Sequence, residues 1–166
     1  MQGLLRQEVL ALRELMQQMK PVDVGPADLV QFLAEGVDRF RRDSGIAARF
    51  SSDVDEVPLP SRVCREIARI AQEALVNVRK HSGAHNVAMR FQSDSGRWLL
   101  RVEDDGRGFA FSGRLAGAEL ERAHCGPVIL QERVRAIGGE LMVESEPGKG
   151  ARLEITLPQN GRTTYA

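Results

Sequence analysis

The chain has 166 residues, with 23 Lys plus Arg against 23 Asp plus Glu, so its formal net charge is zero. Its length fits one domain with an appendage, and 42% hydrophobic and 28% charged residues exclude disorder as the main state. A balanced charge argues against a general nucleic-acid or membrane-surface binder, which normally carries a basic excess. We therefore expect no nucleic-acid partner and no direct membrane contact.

The chain lacks the patterns of a membrane or secreted protein. No apolar run approaches the ~18 residues of a membrane span, and Arg6, Glu8 and Arg13 interrupt the N-terminal stretch where a signal peptide would be apolar. Cys64 and Cys125 are the two cysteines, and their wide separation argues against a disulfide framework or a zinc site. These observations predict a cytoplasmic, reduced protein, and they leave open whether a longer protein is tethered to a membrane.

Residues 2–20 have the periodicity of a helix. Its apolar positions Leu5, Val9, Leu12, Met16 and Met19 follow a 4-3-4-3 spacing, which is typical of a seam along another helix. The alternative is an amphipathic helix that packs on the core of its own domain. The sequence does not separate these two interpretations, because a firm coiled-coil assignment needs roughly three or more heptads.

The other elements follow from periodicity and from the positions of Gly and Pro. In chain order we predict a linker at 21–26, a helix from Pro26 to about Gly45, a strand at 46–50, a long helix at 61–81, strands at 87–91 and 98–102, a loop at 106–126, a helix at 127–137, and strands at 140–144 and 151–157. Helices with mostly antiparallel strands predict an α+β fold, a two-layer α/β sandwich with a mixed sheet packed on helices. A long loop in a compact domain is usually functional or disordered.

The long helix carries a row of polar side chains. At ~100° per residue, Glu73, Asn77 and Lys80 fall within about 60° of one another. A carboxylate, an amide and a cation in a row suit metal–phosphate chemistry, because amide and carboxylate oxygens match Mg²⁺ and Lys matches phosphate. From this helix alone, a solvated face with an i,i+4 hydrogen bond is the better interpretation.

A glycine-rich turn follows the strand at 98–103. In segment 104–109 (DDGRGF), Asp104 is followed by Gly106 and Gly108, which let the backbone turn tightly and approach a ligand closely. An aspartate in such a turn can accept a hydrogen bond from an exocyclic amine such as that of adenine. The pattern alone is weak, since Asp-Gly turns are common. Neither Gly-x4-Gly-Lys-Ser/Thr nor Gly-x-Gly-x-x-Gly after a strand is present, so a nucleotide would need another architecture.

Taken in order, these segments resemble the ATP-binding domain of sensor histidine kinases, in the gyrase, histidine kinase and mismatch-repair ATPase superfamily (GHKL, Bergerat fold). Residues 70–84 (IAQEALVNVRKHSGA) resemble the N box, in the class with Lys-His, and residues 102–109 (VEDDGRGF) resemble the G1 box. Residues 148–158 (GKGARLEITLP) resemble the closing hairpin, and residues 131–145 the helix and strand after the lid.

The resemblance implies a domain organisation. Residues 1–25 correspond to the end of a dimerisation helix and a linker, and residues 26–160 to the catalytic domain. The ATP lid lies at about 110–125, and residues 161–166 form a tail.

The resemblance also implies a role for each matching residue. The implied roles are Mg²⁺ ligation by Asn77, orientation or deprotonation of the attacking imidazole by Glu73, phosphate contacts by Lys80 and His81, recognition of the adenine amine by Asp104, shaping of the turn by Gly106 and Gly108, packing near the base by Phe109, and further nucleotide contacts by Gly126 and Gly150.

Two positions depart from the family pattern. Relatives usually have Gly-x-Gly after the lid, whose amides bind phosphate at a helix N-terminus. Here Gly126 is followed by Pro127, which has no N–H, and Ala151 stands where many relatives have a hydroxyl residue. The metal and adenine anchors remain, so we expect binding of ATP and Mg²⁺ to persist with a lower affinity.

The implied function is that of an ATP-dependent protein histidine kinase. The γ-phosphate would pass to a histidine of a dimerisation and phosphoacceptor domain, in a homodimeric full-length protein, and then to a response regulator. His81, His85 and His124 do not match the family's acceptor, so this chain alone should not autophosphorylate. The alternatives are a serine kinase of the anti-sigma-factor type and a non-catalytic nucleotide-binding module.

Overall fold

The computed structural model describes residues 2–159, and the tail predicted at 161–166 lies outside them. The elements in chain order are α1 (Gln2–Met19), α2 (Leu29–Ser44), β1 (Ala47–Ser52), α3 (Ser61–Asn77), a π-helical turn (Val78–Ser82), β2 (Asn86–Asp94), β3 (Arg97–Asp104), β4 (Gly113–Ala116), α4 (Gly117–Arg122), α5 (Val128–Ala136), β5 (Glu140–Glu146) and β6 (Gly150–Pro158).

The six strands form one mixed sheet in the order β1-β2-β3-β6-β5-β4. β1 and β2 are parallel, and the other neighbours are antiparallel. Helices α2, α3 and α5 contact β1, β3 and β5 respectively, and α3 contacts both α2 and α5. This arrangement confirms the predicted α+β fold with a mostly antiparallel sheet packed on helices.

The two faces of the sheet differ in the way that alternation along a strand requires. In β3, Leu100 and Val102 are buried in the core. Arg101, which lies between them on the opposite face, forms an ion pair of 2.8 Å with Glu154 of β6. The helices therefore form the second layer on the apolar face, while ion pairs occupy the other face.

Helix α2 begins later than predicted. Pro26 lies in a turn in which the Asp28 N–H donates to the Gly25 carbonyl at 3.2 Å, and the first helical bond runs from the Phe32 N–H to the Asp28 carbonyl. The chain reaches helical geometry only after this turn, so the helix starts at Leu29. The predicted end is confirmed, since Gly45 closes the helix in the left-handed conformation with φ of 73°.

The prediction of a long irregular loop at 106–126 is wrong for its second half. Residues 113–116 form β4, which pairs with β5, and residues 117–122 form α4. The Glu119 carboxylate accepts a hydrogen bond of 2.7 Å from the Ala116 N–H, and Leu120 is fully buried. A four-residue strand and a six-residue helix are too short to show a recognisable period in the sequence.

Helix α1 is confirmed, and its apolar side chains face outward. Leu5, Leu12 and Met16 are 62%, 60% and 64% exposed, whereas Leu10 reaches a groove that Phe40 of α2 also lines. The interpretation that the apolar seam packs on the core of its own domain is therefore wrong, and packing along another helix stays a prediction. Among residues 2–159, no helix is both long and apolar enough to cross a bilayer.

Candidate functional site

A cavity of about 300 Å³ opens where the end of α3, the turn after β3, the start of α5 and strand β6 meet. Its wall consists of Ala74, Asn77, Val78, His81, Ser82, Asp104, Gly108, Phe109, Gly126, Pro127, Ala151 and Leu153. Most of these residues are apolar or small, and a few polar groups converge between them. This volume and composition are typical of a small-molecule site.

The π-helical turn decides which residues of the long helical segment reach the cavity. An α-helix continued beyond Asn77 would place both Lys80, at i+3, and His81, at i+4, beside it. A π turn closes i→i+5 bonds and rotates each successive residue by less, so it turns Lys80 away from Asn77, while His81 stays on the cavity wall with Asn77. Glu73 is half-buried, Lys80 is exposed, and neither lines the cavity, so the roles that the sequence predicts for these two side chains stay predictions.

Asp104 is the buried carboxylate of the site. It ends β3, opposite Ala151 of β6, and its Oδ1 accepts a hydrogen bond of 2.8 Å from the Gly106 N–H. Burial raises the pKa of Asp104 above its usual value, and the Gly106 N–H partly offsets that rise in pKa. A buried carboxylate with remaining acceptor capacity suits a ligand that brings an N–H donor into the cavity.

The predicted glycines allow close approaches, but these approaches are to protein backbone. A Cβ on Gly106 would lie 2.3 Å from the Ser82 carbonyl oxygen, and one on Gly150 would lie 2.0 Å from the Asp104 carbonyl oxygen. Gly108 has φ of +68°, and its Cβ would lie 2.7 Å from the Gly150 carbonyl oxygen. Gly108 lines the cavity, whereas Gly106 and Gly150 shape the turn from behind the wall.

Asp105 has a structural role that differs from that of its neighbour Asp104. Its carboxylate accepts hydrogen bonds of 2.9 Å from the His85 and Asn86 backbone N–H groups, and one of 2.8 Å from Asn86 Nδ2. These donors lower the pKa of Asp105 to about 2. The exposed second carboxylate therefore ties the turn to the start of β2, while the buried first carboxylate faces the cavity.

The remaining predicted residues occupy the rim and the apolar wall. Phe109 lines the cavity and stacks on Phe111, with ring centroids 5.8 Å apart. Gly126 and Pro127 form the wall just before α5, and Pro127 supplies no N–H there. Ala151 also lines the cavity, so both departures from the family pattern lie at the site itself.

Some wall residues were not predicted from the sequence. Val78 and Leu153 supply apolar surface, and Ser82 supplies the carbonyl that the turn after β3 contacts. Leu153 could have been identified from its alternation with Ala151 along β6, because residues i and i+2 share one face of a strand. Ser82 has no such signal, since its position depends on the π turn.

The site offers few protein ligands for a metal ion. Within residues 2–159 there is no group of three or more His, Cys, Asp or Glu residues that could hold one. The Asn77 amide lines the cavity, and Mg²⁺ typically keeps several waters and needs only one or two protein groups together with ligand phosphates. The residues present therefore fit Mg²⁺ delivered with a phosphate ligand, and they do not form a dedicated all-protein metal centre.

A family model and several curated proteins are similar to this chain. The family model described as histidine kinase-, DNA gyrase B-, and HSP90-like ATPase matches residues 63–161. The sensor histidine kinase LiaS of Bacillus subtilis is 30% identical over 147 residues, which are 89% of this chain and 39% of that protein. The sensor protein VraS of Staphylococcus haemolyticus is 24% identical over 96% of this chain and 44% of its own length. This chain thus spans less than half of these relatives.

Solved structures are similar in fold. The histidine kinase domain of the blue-light activated histidine kinase from Erythrobacter litoralis EL346 has a TM-score of 0.63 at 23% identity, covering 95% of this chain and 75% of that one. The ATP binding domain of PrrB from Mycobacterium tuberculosis has a TM-score of 0.58 at 21% identity, covering 78% and 93% respectively.

Proposed function

This chain belongs to the family of histidine kinase-, DNA gyrase B- and HSP90-like ATPases, and from that premise we propose that it is the catalytic ATP-binding domain of a two-component sensor histidine kinase. The observation that carries the proposal is that the buried Asp104 carboxylate and the Asn77 amide line the same cavity. One group can accept a hydrogen bond from a base, and the other can bind the metal that accompanies phosphates.

The apolar wall and Asp104 would hold the adenosine end of ATP. The Asp104 carboxylate accepts a hydrogen bond from the exocyclic amine of adenine, while Val78, Phe109 and Leu153 pack against the base. Guanine carries a carbonyl oxygen where adenine carries that amine, so two acceptors would face each other in a buried site. An unpaired buried polar group is costly, and the same carboxylate therefore favours adenine over guanine.

The phosphates would lie toward the end of the helical segment. Asn77 would ligate Mg²⁺, which neutralises phosphate charge when it is bound. His81 shares the wall with Asn77, and Lys80 is the exposed residue before His81 in the chain, so we propose that both contact phosphate oxygens at the mouth of the cavity. Catalysis of this kind consists mainly of positioning and charge stabilisation.

Transfer needs an acceptor that comes from outside the cavity. We propose a histidine of a dimerisation domain, whose imidazole nitrogen attacks the γ-phosphorus as the bond to the bridging oxygen breaks and ADP leaves. Glu73, half-buried one turn before Asn77, is the candidate base for the imidazole proton. Helix α1, with its exposed apolar face, is proposed as the end of the helix that carries this domain in a homodimer, and a cytoplasmic response regulator would receive the phosphate.

Calorimetry with Mg·ADP tests the site. We expect the wild-type chain to bind, and Asp104→Ala and Asn77→Ala to weaken binding at least about tenfold, because each removes a charge-assisted or metal contact. The matched controls are Asp94→Ala, at the far end of the β2–β3 hairpin, and Gln72→Ala, an amide on α3 that lines a different groove. Unchanged binding in both site variants would overturn the assignment.

Phosphate transfer is tested separately. Labelled ATP, this chain and the dimerisation domain of the same full-length protein should together give an acid-labile phosphohistidine on that domain. Acid-stable label would indicate a serine kinase instead. Normal ATP binding without transfer would indicate a non-catalytic nucleotide-binding module.

A further inference from the structure

Ser145 of β5 occupies a junction behind the candidate site. It pairs with Gly113 of β4 on one side and with Ala151 of β6 on the other, and Ala151 lines the cavity. Ser145 is only 4% exposed and does not itself line the cavity. A polar side chain in such a place requires a partner within the protein.

The Ser145 hydroxyl finds that partner in the turn after β3. Its Oγ accepts a hydrogen bond of 2.7 Å from the Phe109 N–H, and it faces the Gly150 carbonyl oxygen as a donor at 3.5 Å. The contact is close, because a Cβ on Gly108 would lie 2.8 Å from this same Oγ. The hydroxyl therefore bridges the turn and the β5–β6 hairpin at the point where both approach the cavity.

We propose that Ser145 is a positioning residue for nucleotide binding, a role that rests on the proposed function and acts through Phe109 and Gly108. Three amides of the turn are held by three different elements. The Gly106 N–H donates to Asp104 of β3, the Arg107 N–H donates to the Ser82 carbonyl, and the Phe109 N–H donates to Ser145. The third of these bonds ends on a side-chain hydroxyl, so it can be removed without changing the backbone of either partner.

Loss of the hydrogen bond between the Phe109 N–H and Ser145 Oγ should weaken nucleotide binding. Phe109 and Gly108 both form part of the cavity wall, and without Oγ the half-buried Phe109 N–H has no acceptor there. The turn would then sample other positions. Binding of a nucleotide would have to order the turn again, and the free energy that this ordering requires would lower the affinity. One hydrogen bond of this type corresponds to a loss of affinity of about three- to tenfold.

A matched serine distinguishes positioning from general stability. Ser44 Oγ also bridges two backbone groups, donating to the Phe40 carbonyl at 2.7 Å and accepting from the Ile46 N–H at 3.1 Å. It lies at the end of α2 and does not line the cavity. Ser44→Ala and Ser145→Ala therefore remove the same kind of hydroxyl bridge, one remote from the site and one behind it.

The test combines Mg·ADP calorimetry with amide hydrogen exchange of the nucleotide-free chain. We expect Ser145→Ala to weaken binding about three- to tenfold and to accelerate exchange of the Phe109 amide by a similar factor. Ser145→Thr keeps the hydroxyl, so it should restore most of the Mg·ADP affinity and most of the protection of the Phe109 amide from exchange. Ser44→Ala should lower the melting temperature and leave the Mg·ADP affinity at the wild-type value.

Two results would overturn the inference: wild-type affinity in Ser145→Ala, or equal weakening by Ser44→Ala and Ser145→Ala. Failure of the proposed function has a different signature, because the wild-type chain itself would then not bind Mg·ADP. Exchange at Phe109 still reports on the bond in that case, and unchanged exchange in Ser145→Ala would show that Ser145 does not hold the turn.

Discussion

Gly106 and Ser82 approach so closely that a Cβ on the glycine would lie 2.3 Å from the serine carbonyl oxygen. The same carbonyl accepts a hydrogen bond of 2.7 Å from the Arg107 N–H. Ser82 ends the helical segment that carries Asn77, and Gly106 follows the strand that carries Asp104. This contact therefore helps to fix the distance between Asn77 and Asp104, the two groups that we propose bind opposite ends of the nucleotide.

Substitution of Gly106 by alanine should be strongly destabilising. The atom that a methyl group would meet belongs to the backbone and cannot rotate away, so either the turn or the π-helical segment must shift. We expect Gly106→Ala to lower the free energy of unfolding by about 2–3 kcal/mol, as overpacking typically does, and to abolish nucleotide binding. Urea denaturation measures the first effect and calorimetry the second.

Gly36 provides the matched control for this substitution. It lies inside α2, and a Cβ at this position would meet no atom within 4 Å apart from its chain neighbours and the backbone of its own helix. Gly36→Ala should therefore raise the free energy of unfolding by about 0.5–1 kcal/mol, because alanine loses less conformational entropy in a helix. If both variants changed stability in the same direction, the contact with Ser82 would not be the cause.

The parts of the site that could be predicted from the sequence are those in which chemistry follows from residue type and local spacing. A carboxylate at a strand end with glycines two and four residues later predicts a tight turn at Asp104, whatever surrounds it. Asn77 was identified from the row of polar side chains on the long helix together with the resemblance of residues 70–84 to the N box, since the helix alone favours a solvated face. Both predictions depend on at most one turn of local structure.

The parts that could not be predicted depend on contacts distant in sequence. Asp105 pairs with His85 and Asn86, about 20 residues earlier, and Phe109 pairs with Ser145, 36 residues later. The π turn leaves no mark in the composition of residues 78–82, so an α-helical period places Lys80 as well as His81 beside Asn77, whereas His81 lines the cavity and Lys80 does not. Short elements such as β4 are stabilised by pairing with β5, which no local pattern reveals.

Asp105 should stabilise the fold at neutral pH and not in acid. Its pKa is about 2 in the folded state and near 3.8 in the unfolded state, so this stability is full above about pH 5 and is lost as the pH falls toward 2. We expect Asp105→Asn to lower the free energy of unfolding by about 1 kcal/mol at pH 7, a value reduced by solvent screening because the group is exposed.

Urea titrations of the Asp105→Asn and wild-type chains at several pH values check this prediction. The difference in unfolding free energy should shrink steadily between pH 5 and pH 3. Asp94, an exposed carboxylate at the other end of β2, supplies the control, since Asp94→Asn should leave stability nearly unchanged. A difference that stayed constant with pH would contradict the assignment of the three hydrogen bonds to an ionised Asp105.

Asp104 should show the opposite relation between pH and stability. Burial raises its folded-state pKa, so its ionised form destabilises the fold above that pKa, and protonation relieves the cost as the pH falls through it. Asp104→Asn keeps an oxygen for the Gly106 N–H and removes the buried charge. We expect it to raise the free energy of unfolding at pH 7 by up to about 1 kcal/mol while weakening Mg·ADP binding.

Parallel urea and calorimetric titrations of Asp104→Asn check both effects. The difference in unfolding free energy between Asp104→Asn and wild type should shrink as the pH falls, because wild-type Asp104 then becomes neutral as well. A variant that is less stable than wild type at pH 7 would show that the carboxylate is better compensated within the protein than its burial indicates, and the case for a ligand N–H donor at this position would be lost.

The apolar face of α1 should contribute to self-association and not to the stability of the domain. Leu5, Leu12 and Met16 are mostly exposed, so replacing all three by serine should change the free energy of unfolding of the monomer by no more than about 0.5 kcal/mol. Leu33→Ala, at a position only 2% exposed, should by contrast lower the free energy of unfolding by about 2–5 kcal/mol.

Sedimentation equilibrium of the wild-type chain should show a dimer that the triple variant lacks. A wild-type chain that stays monomeric at high concentration would contradict the predicted helix seam, because the exposed apolar side chains on α1 would then have no partner in a second copy.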